Sequence, residues 1–140
     1  MRKYVLALAL VVTLLTGCTQ PNTTQDSLAS GDQVAASAYQ EHRGGVQITG
    51  TGVVTRILSD DTDGGRHQRF ILVLASGQTL LISHNIDIAP RITSLQTDDS
   101  VDFSGVYEWN DEGGVVHWTH HDPDGEHQPG WLKHDGNIYQ

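Results

Sequence analysis

The sequence predicts an all-β domain, an OB-fold-like five-stranded barrel with one short helix and a C-terminal hairpin. Three observations predict it. From Val46 onward, β-branched and aromatic residues alternate with Gly, Asp, Asn and Pro turn signals at short spacing. The segments run as three strands, a short helical stretch and two strands, the order of an OB-fold. The first strand is long and interrupted by Gly50 and Gly52, which suits a strand that must bulge or coil to serve both halves of a small barrel. An open β-sandwich or another small barrel is the alternative, because periodicity does not separate them.

The elements follow in order. The first strand covers 46–58 and ends in the turn Asp60-Asp61-Thr62-Asp63-Gly64-Gly65. The second (67–75) and third (78–85) are joined at Ser76-Gly77. Pro90 breaks the pattern, and Ile88 to Leu95 reads as a short helix or helical turn. The fourth (100–109) and fifth (114–121) are joined through Asp111-Glu112-Gly113. Asp122-Pro123-Asp124-Gly125 is a turn with proline preset at its second position. Trp131 to Tyr139 closes as a hairpin over Asp135-Gly136, a type I′ signal.

The apolar pattern also predicts a register. Val101, Phe103, Gly105, Tyr107 and Trp109 share one face of the fourth strand, and Val116, Trp118 and His120 share one of the fifth. Pairing Asn110 with Val115 sets Tyr107 opposite Trp118, Trp109 opposite Val116, and Glu108 opposite His117 on the other face. A slip by one residue would mix apolar with polar partners.

The N-terminus reads as an export signal. Met1-Arg2-Lys3 is a basic head, and Tyr4 to Leu15 is an apolar run. That run is shorter than the roughly 20 residues a bilayer-spanning helix needs and suits a signal peptide. Leu15-Thr16-Gly17-Cys18 resembles the lipobox of bacterial lipoproteins, and Cys18 is the only cysteine. The resemblance implies that residues 1–17 are removed and that Cys18 is lipidated, tethering the chain to a membrane. Thr19 after the cysteine, rather than Asp, implies the outer membrane, with the domain facing the periplasm; the inner membrane is the alternative. Residues 18–44 then read as the lipidated Cys and a flexible tether. They are rich in small and polar residues with almost no large apolar side chains, and so bury too little surface to offset ordering entropy. Part of 33–42 is compatible with a short helix. The folded domain is 45–140.

The formal charge is −9, from 8 Lys+Arg against 17 Asp+Glu, and loss of Arg2 and Lys3 with the signal deepens it to −11. Such acidity argues against nucleic acid as a partner, which needs a basic face. One cysteine forms no internal disulfide, and lipidation would remove it as a nucleophile. No Gly-x-Ser-x-Gly elbow, phosphate loop or His-Glu-x-x-His is present. With no complete nucleophile, base and oxyanion set, the sequence points to a binding domain for a small polar ligand or metal. The alternative is a metal-dependent, phosphodiesterase-like hydrolase.

Candidate site residues cluster at strand ends. Arg66 to Phe70 opens the second strand and His84 to Asp87 ends the third. A hairpin between them gives a patch of His67, Arg69, Asn85 and His84, in which Arg69 can hold an anion through two parallel bonds. The bland reading is solvation with Arg69–Asp87 pairing. Glu108 and His117 form a carboxylate–imidazole pair expected to raise the histidine pKa. The segment His117 to His127 carries imidazoles and carboxylates of the kind zinc prefers. His117 and His121 lie about 13 Å apart on a straight strand, whereas His121, Asp122 and His127 can converge around the turn on a divalent metal such as zinc. The Asp-x-Asp-Gly strings at Asp61 and Asp122 lack the later acidic ligands of calcium loops and read as turns. Of Trp109, Trp118 and Trp131, two read as core, and one in a polar groove would stack a planar or sugar ligand.

The runs RHQRF, SGQTLLISHNIDIAPRI (which contains HNID), YEWN, GGVVHWTHHDP and GWLKHDG resemble a small bacterial family of exported proteins of unknown function, over about residues 50–140. That resemblance brings no activity. The strand order is similar to that of nuclease-type OB-folds, but their metal carboxylates and arginines are not matched residue by residue, so no catalytic residues follow.

Overall fold

The computed structural model describes residues 23–140; the signal segment and Cys18 lie outside the described residues. An α-helix, α1 (Thr23–Gln40), precedes seven strands: β1 (Val46–Ile57), β2 (His67–Leu74), β3 (Thr79–Asn85), β4 (Ser100–Glu108), β5 (Val115–His117), β6 (Trp131–His134) and β7 (Asn137–Tyr139). The strand order is β1-β2-β3-β5-β4, and β4 pairs again with β1, which closes a five-stranded barrel. All its ladders are antiparallel except β3–β5. This is the predicted OB-like barrel. The β6–β7 hairpin extends it from β4, and Asp135 and Gly136 both have positive φ (48° and 77°), as a type I′ turn requires.

β1 closes the barrel by bending. Its first part, Val46 to Val53, pairs with β4, and its second, Gly52 to Ile57, with β2. The register shifts between Val54 and Arg56, so the irregularity falls after the glycines rather than on them. Gly50 and Gly52 instead lie against Phe103 and Leu72. Alternation fills the interior with Val54, Phe70, Leu72, Leu80, Ile82, Val101, Phe103, Tyr107 and Val116.

Three expectations are corrected. First, the segment read as tether is helical from Thr23 to Gln40, and Ala35 and Ala38 belong to the core. Buried Gly31 sits against the Thr49 carbonyl, and the Asp32 carboxylate accepts the Ser76 amide at 3.1 Å. A composition of small residues, which looks like a linker, makes a thin helix face that lies close on β1; the barrel supplies the apolar partners. Second, 88–95 holds turns, not a helix. Gln68, buried in the barrel, brackets the Ile92 backbone with two 2.9 Å bonds, and this pins Ile92 and Leu95 over the barrel end without a helix. Third, β5 stops at His117, and Tyr107 faces Val116 while Glu108 faces Val115. The register is two residues from the predicted one, so faces are preserved and partners change. The cause is the connection: Gly113 and Gly114 both have positive φ. The Tyr107 ring covers Gly114 so closely that no Cβ would fit, and its hydroxyl donates to the Gly113 carbonyl at 3.2 Å.

Candidate functional site on the outer face of the barrel

β2 and β3 alternate in phase. His67 pairs with Asn85, Gln68 with His84 and Arg69 with Ser83, so His67, Arg69, Ser83 and Asn85 share the outer face while Gln68 and His84 point inward. β5 runs parallel to β3 and carries His117 onto the same outer face. The next residue, Trp118, has φ 52°, a conformation costly for a bulky side chain. It ends the strand and leaves the indole 36% exposed. The returning chain fixes this conformation. A Cβ on Gly130 would collide with the Trp118 carbonyl, and the Gly130 amide donates to the His120 carbonyl at 2.9 Å. Strain held by its surroundings in this way is typical of ligand-bearing sites.

Three imidazoles surround the indole. The ring centroid of His127 is 3.6 Å from that of Trp118, that of His120 is 5.5 Å away, and that of His117 is 5.8 Å away. Beside them is a cleft of about 80 Å³ lined by His67, Ser83, Asn85, His117, Trp118 and His120. Two of these histidines have defined tautomers. His67 Nδ1 lies 3.1 Å from the Gly65 carbonyl and His120 Nδ1 lies 2.7 Å from the His121 carbonyl. A carbonyl only accepts, so each Nδ1 carries the proton and each Nε2 keeps a lone pair. His117 Nε2 is buried without a hydrogen-bond partner among the described residues, with Glu108 Oε1 at 3.7 Å. Burial holds the His117 pKa below the ordinary imidazole range, outweighing the upward pull of Glu108. The expected rise is therefore reversed, because desolvation of the imidazolium exceeds the attraction of an exposed carboxylate.

The predicted residues divide. His67, Asn85 and His117 meet in the cleft, and Glu108 reaches His117 diagonally from β4. Arg69 lies one row away; its Nε donates to the Ser59 carbonyl and Nη1 is 3.6 Å from Asp61. Asp87 pairs with Arg66 instead, so the Arg69–Asp87 pair does not form. His84 is not on this face. It is fully buried, with Nε2 donating to the Pro90 carbonyl at 3.1 Å and Nδ1 accepting from the Thr119 hydroxyl at 2.9 Å. Both ring nitrogens are used, and burial lowers its pKa from 6.5 to about 4. It is a core histidine.

The metal set His121, Asp122 and His127 does not assemble. Among the described residues no three His, Cys, Asp or Glu side chains group so as to hold an ion. The Asp122 carboxylate organises its loop, accepting the amides of Asp124 at 3.1 Å and His127 at 2.6 Å, and these bonds lower its pKa. His127 Nδ1 lies 3.4 Å from Asp122 Oδ2, so two members of the set meet, but the His127 ring stacks on Trp118 and His121 is exposed and does not join them. The other Asp-x-Asp-Gly string behaves alike, with Asp61 accepting the Asp63 amide.

Sequence reasoning missed Ser83 and His120 as lining residues. Ser83 was legible, since it shares parity with Asn85 on β3. His120 was not, because its position depends on the backbone turn at Trp118. A more capacious cleft, about 350 Å³, lies between α1, the β2–β3 turn and the β4–β5 loop. Three of its polar side chains bond to backbone across it: Tyr39 donates to the Asp111 carbonyl, Gln78 to Gly113 and Thr79 to Glu112. It is a structural seam.

The fold and its face define a small closed β-barrel with a polar, aromatic-edged cleft on the outer side of β2, β3 and β5, the side on which OB-folds carry ligands. The chain matches, over residues 18–140, the family described as "Protein of unknown function (DUF3465)", and it belongs to that family. No curated protein matches it. Among the described residues no helix is long and apolar enough to cross a membrane.

Proposed function

We propose that this is a bacterial envelope lipoprotein whose barrel binds a small polar ligand in the cleft beside Trp118. The observation that carries the reading is the strained backbone at Trp118. It holds an indole at the surface among imidazoles, next to hydroxyl and amide groups and to two Nε2 lone pairs. A volume near 80 Å³ suits one polar group of a ligand, several hydrogen bonds deep, with the indole edge covering the rest. We prefer the binding reading to the hydrolase one because, among the described residues, His121 does not join Asp122 and His127 in a three-ligand group.

Two experiments test the proposal. NMR titration with a panel of monosaccharides, amino acids and phosphate monoesters should move the signals of His67, Asn85, His117 and His120, and Trp118→Ala should abolish the response. Shifts confined to the α1 seam, or none, would refute the site. For the tether suggested by Leu15-Thr16-Gly17-Cys18, Cys18→Ser should move the protein from the outer-membrane fraction to unprocessed precursor or soluble protein. An unchanged membrane fraction with normal processing would refute lipidation.

A further inference from the structure

A second cleft adjoins the first on the same outer face, one row along the sheet. The ladder sets Arg56, Ile71 and Leu81 side by side across β1, β2 and β3. Leu58, whose amide donates to the Arg69 carbonyl, begins the next row, which continues through Arg69 to Ser83 of the Trp118 cleft. The cleft holds about 240 Å³, with Glu112 of the β4–β5 loop on its opposite rim. Its floor is aliphatic, since Leu58, Ile71 and Leu81 are all half-buried.

The arginines decide what the floor is for. Arg43, Arg66, Arg69 and Arg91 each hold a carboxylate, from Glu41, Asp87, Asp61 and Asp60. Arg56 has no such partner among the described residues, in a chain where acids outnumber Lys and Arg by 17 to 8. An uncommitted guanidinium at the edge of an aliphatic floor is complementary to an anionic head on an apolar body.

We infer that this cleft binds a monoanionic amphiphile of the fatty-acid type, its carboxylate on Arg56 and its hydrocarbon over Leu58, Ile71 and Leu81. Glu112 across the cleft disfavours a second negative charge. The inference shares with the proposed function the premise that this face bears ligands, but it uses a separate subsite. The probes are sodium octanoate and uncharged octanamide, followed by NMR on the full mature chain. Octanoate should move the signals of Ile71 and Leu81. Octanamide should bind roughly ten- to a hundredfold more weakly, the factor expected for one charge-assisted bond, and Arg56→Gln should weaken octanoate by the same factor. Because Arg56 is exposed, this variant should fold normally. Equal binding of the two probes, unchanged affinity in Arg56→Gln, or no shift at Ile71 and Leu81 would overturn the inference. Octanoate shifts at Ile71 and Leu81 without any polar-probe response at His117 and Trp118 would uphold it while refuting the Trp118 site.

Discussion

The inner and outer faces of the β2–β3–β5 wall put the same side chain, histidine, to opposite uses. His84 points inward and has both ring nitrogens bonded, to Pro90 and Thr119. His67 on the outer face and His120, which is 4% exposed and lines the cleft beside Trp118, each commit one nitrogen to a backbone carbonyl and keep the other. Residue type does not separate a structural histidine from a ligand-bearing one, and nitrogen accounting alone does not either. His134 is buried with Nε2 on Asp99 and Nδ1 unbonded among the described residues, so what distinguishes His67 and His120 is an uncommitted nitrogen on a ring that lines the cleft. An unbonded ring nitrogen in the core is costly, and His84 leaves none, whereas an imidazole that lines the cleft and is held by one bond is oriented for a second partner.

The largest expected effect is on the inner side. His84 has a folded pKa of about 4 against 6.5 in the ordinary state. The unfolded chain therefore takes up the proton first, and the stability is fully present above about pH 6.5 and lost as the pH falls toward 4. The loss at this site amounts to about 3 kcal/mol. Denaturant melts between those limits should show it, and His84→Gln should flatten that part of the profile. A profile unchanged by the substitution would break the distinction between inner and outer histidines.

Gly130→Ala comes next. Its Cβ meets the Trp118 carbonyl, and the forced shift should cost about 1–3 kcal/mol and should displace the His120 and Trp118 signals. Trp118→Gly should change stability by less than about 1 kcal/mol, because relief of the positive-φ strain offsets the lost ring contacts, while ligand response disappears. A large loss of stability would make the indole a packing residue. The smallest effect concerns His117, which should titrate below the ordinary imidazole pKa because it is buried. Glu108→Gln should lower it further by removing an upward pull. An unchanged value would mean that the two side chains, 3.7 Å apart here, do not interact in solution.

How much of this the sequence disclosed follows the same division. The barrel was legible because alternation and turn residues act locally: Asp135-Gly136 forms its I′ turn, and the β2–β3 ladder brings His67 to Asn85. Alternation also fixes that His84 and Asn85 cannot share a face, which the strand-end patch overlooked. The helix eluded a compositional reading because Ala35 and Ala38 become core only against β1, a non-local fact. The metal set failed for a related reason. Asp122 is short enough to bond its own loop amides, and a carboxylate used so is a turn device. The β4–β5 register was set by Tyr107 seating on Gly114, beyond the reach of face patterns.

The most direct test of the account is a long-range ¹H–¹⁵N spectrum of the histidine rings at neutral pH, recorded with and without the polar probe panel. The account predicts His67 and His120 as Nδ1–H tautomers with unbonded Nε2 signals that shift on addition of a bound probe. It predicts His84 as the Nε2–H tautomer, unmoved. The reverse tautomers, or a response at His84 with none at His67 and His120, would contradict it.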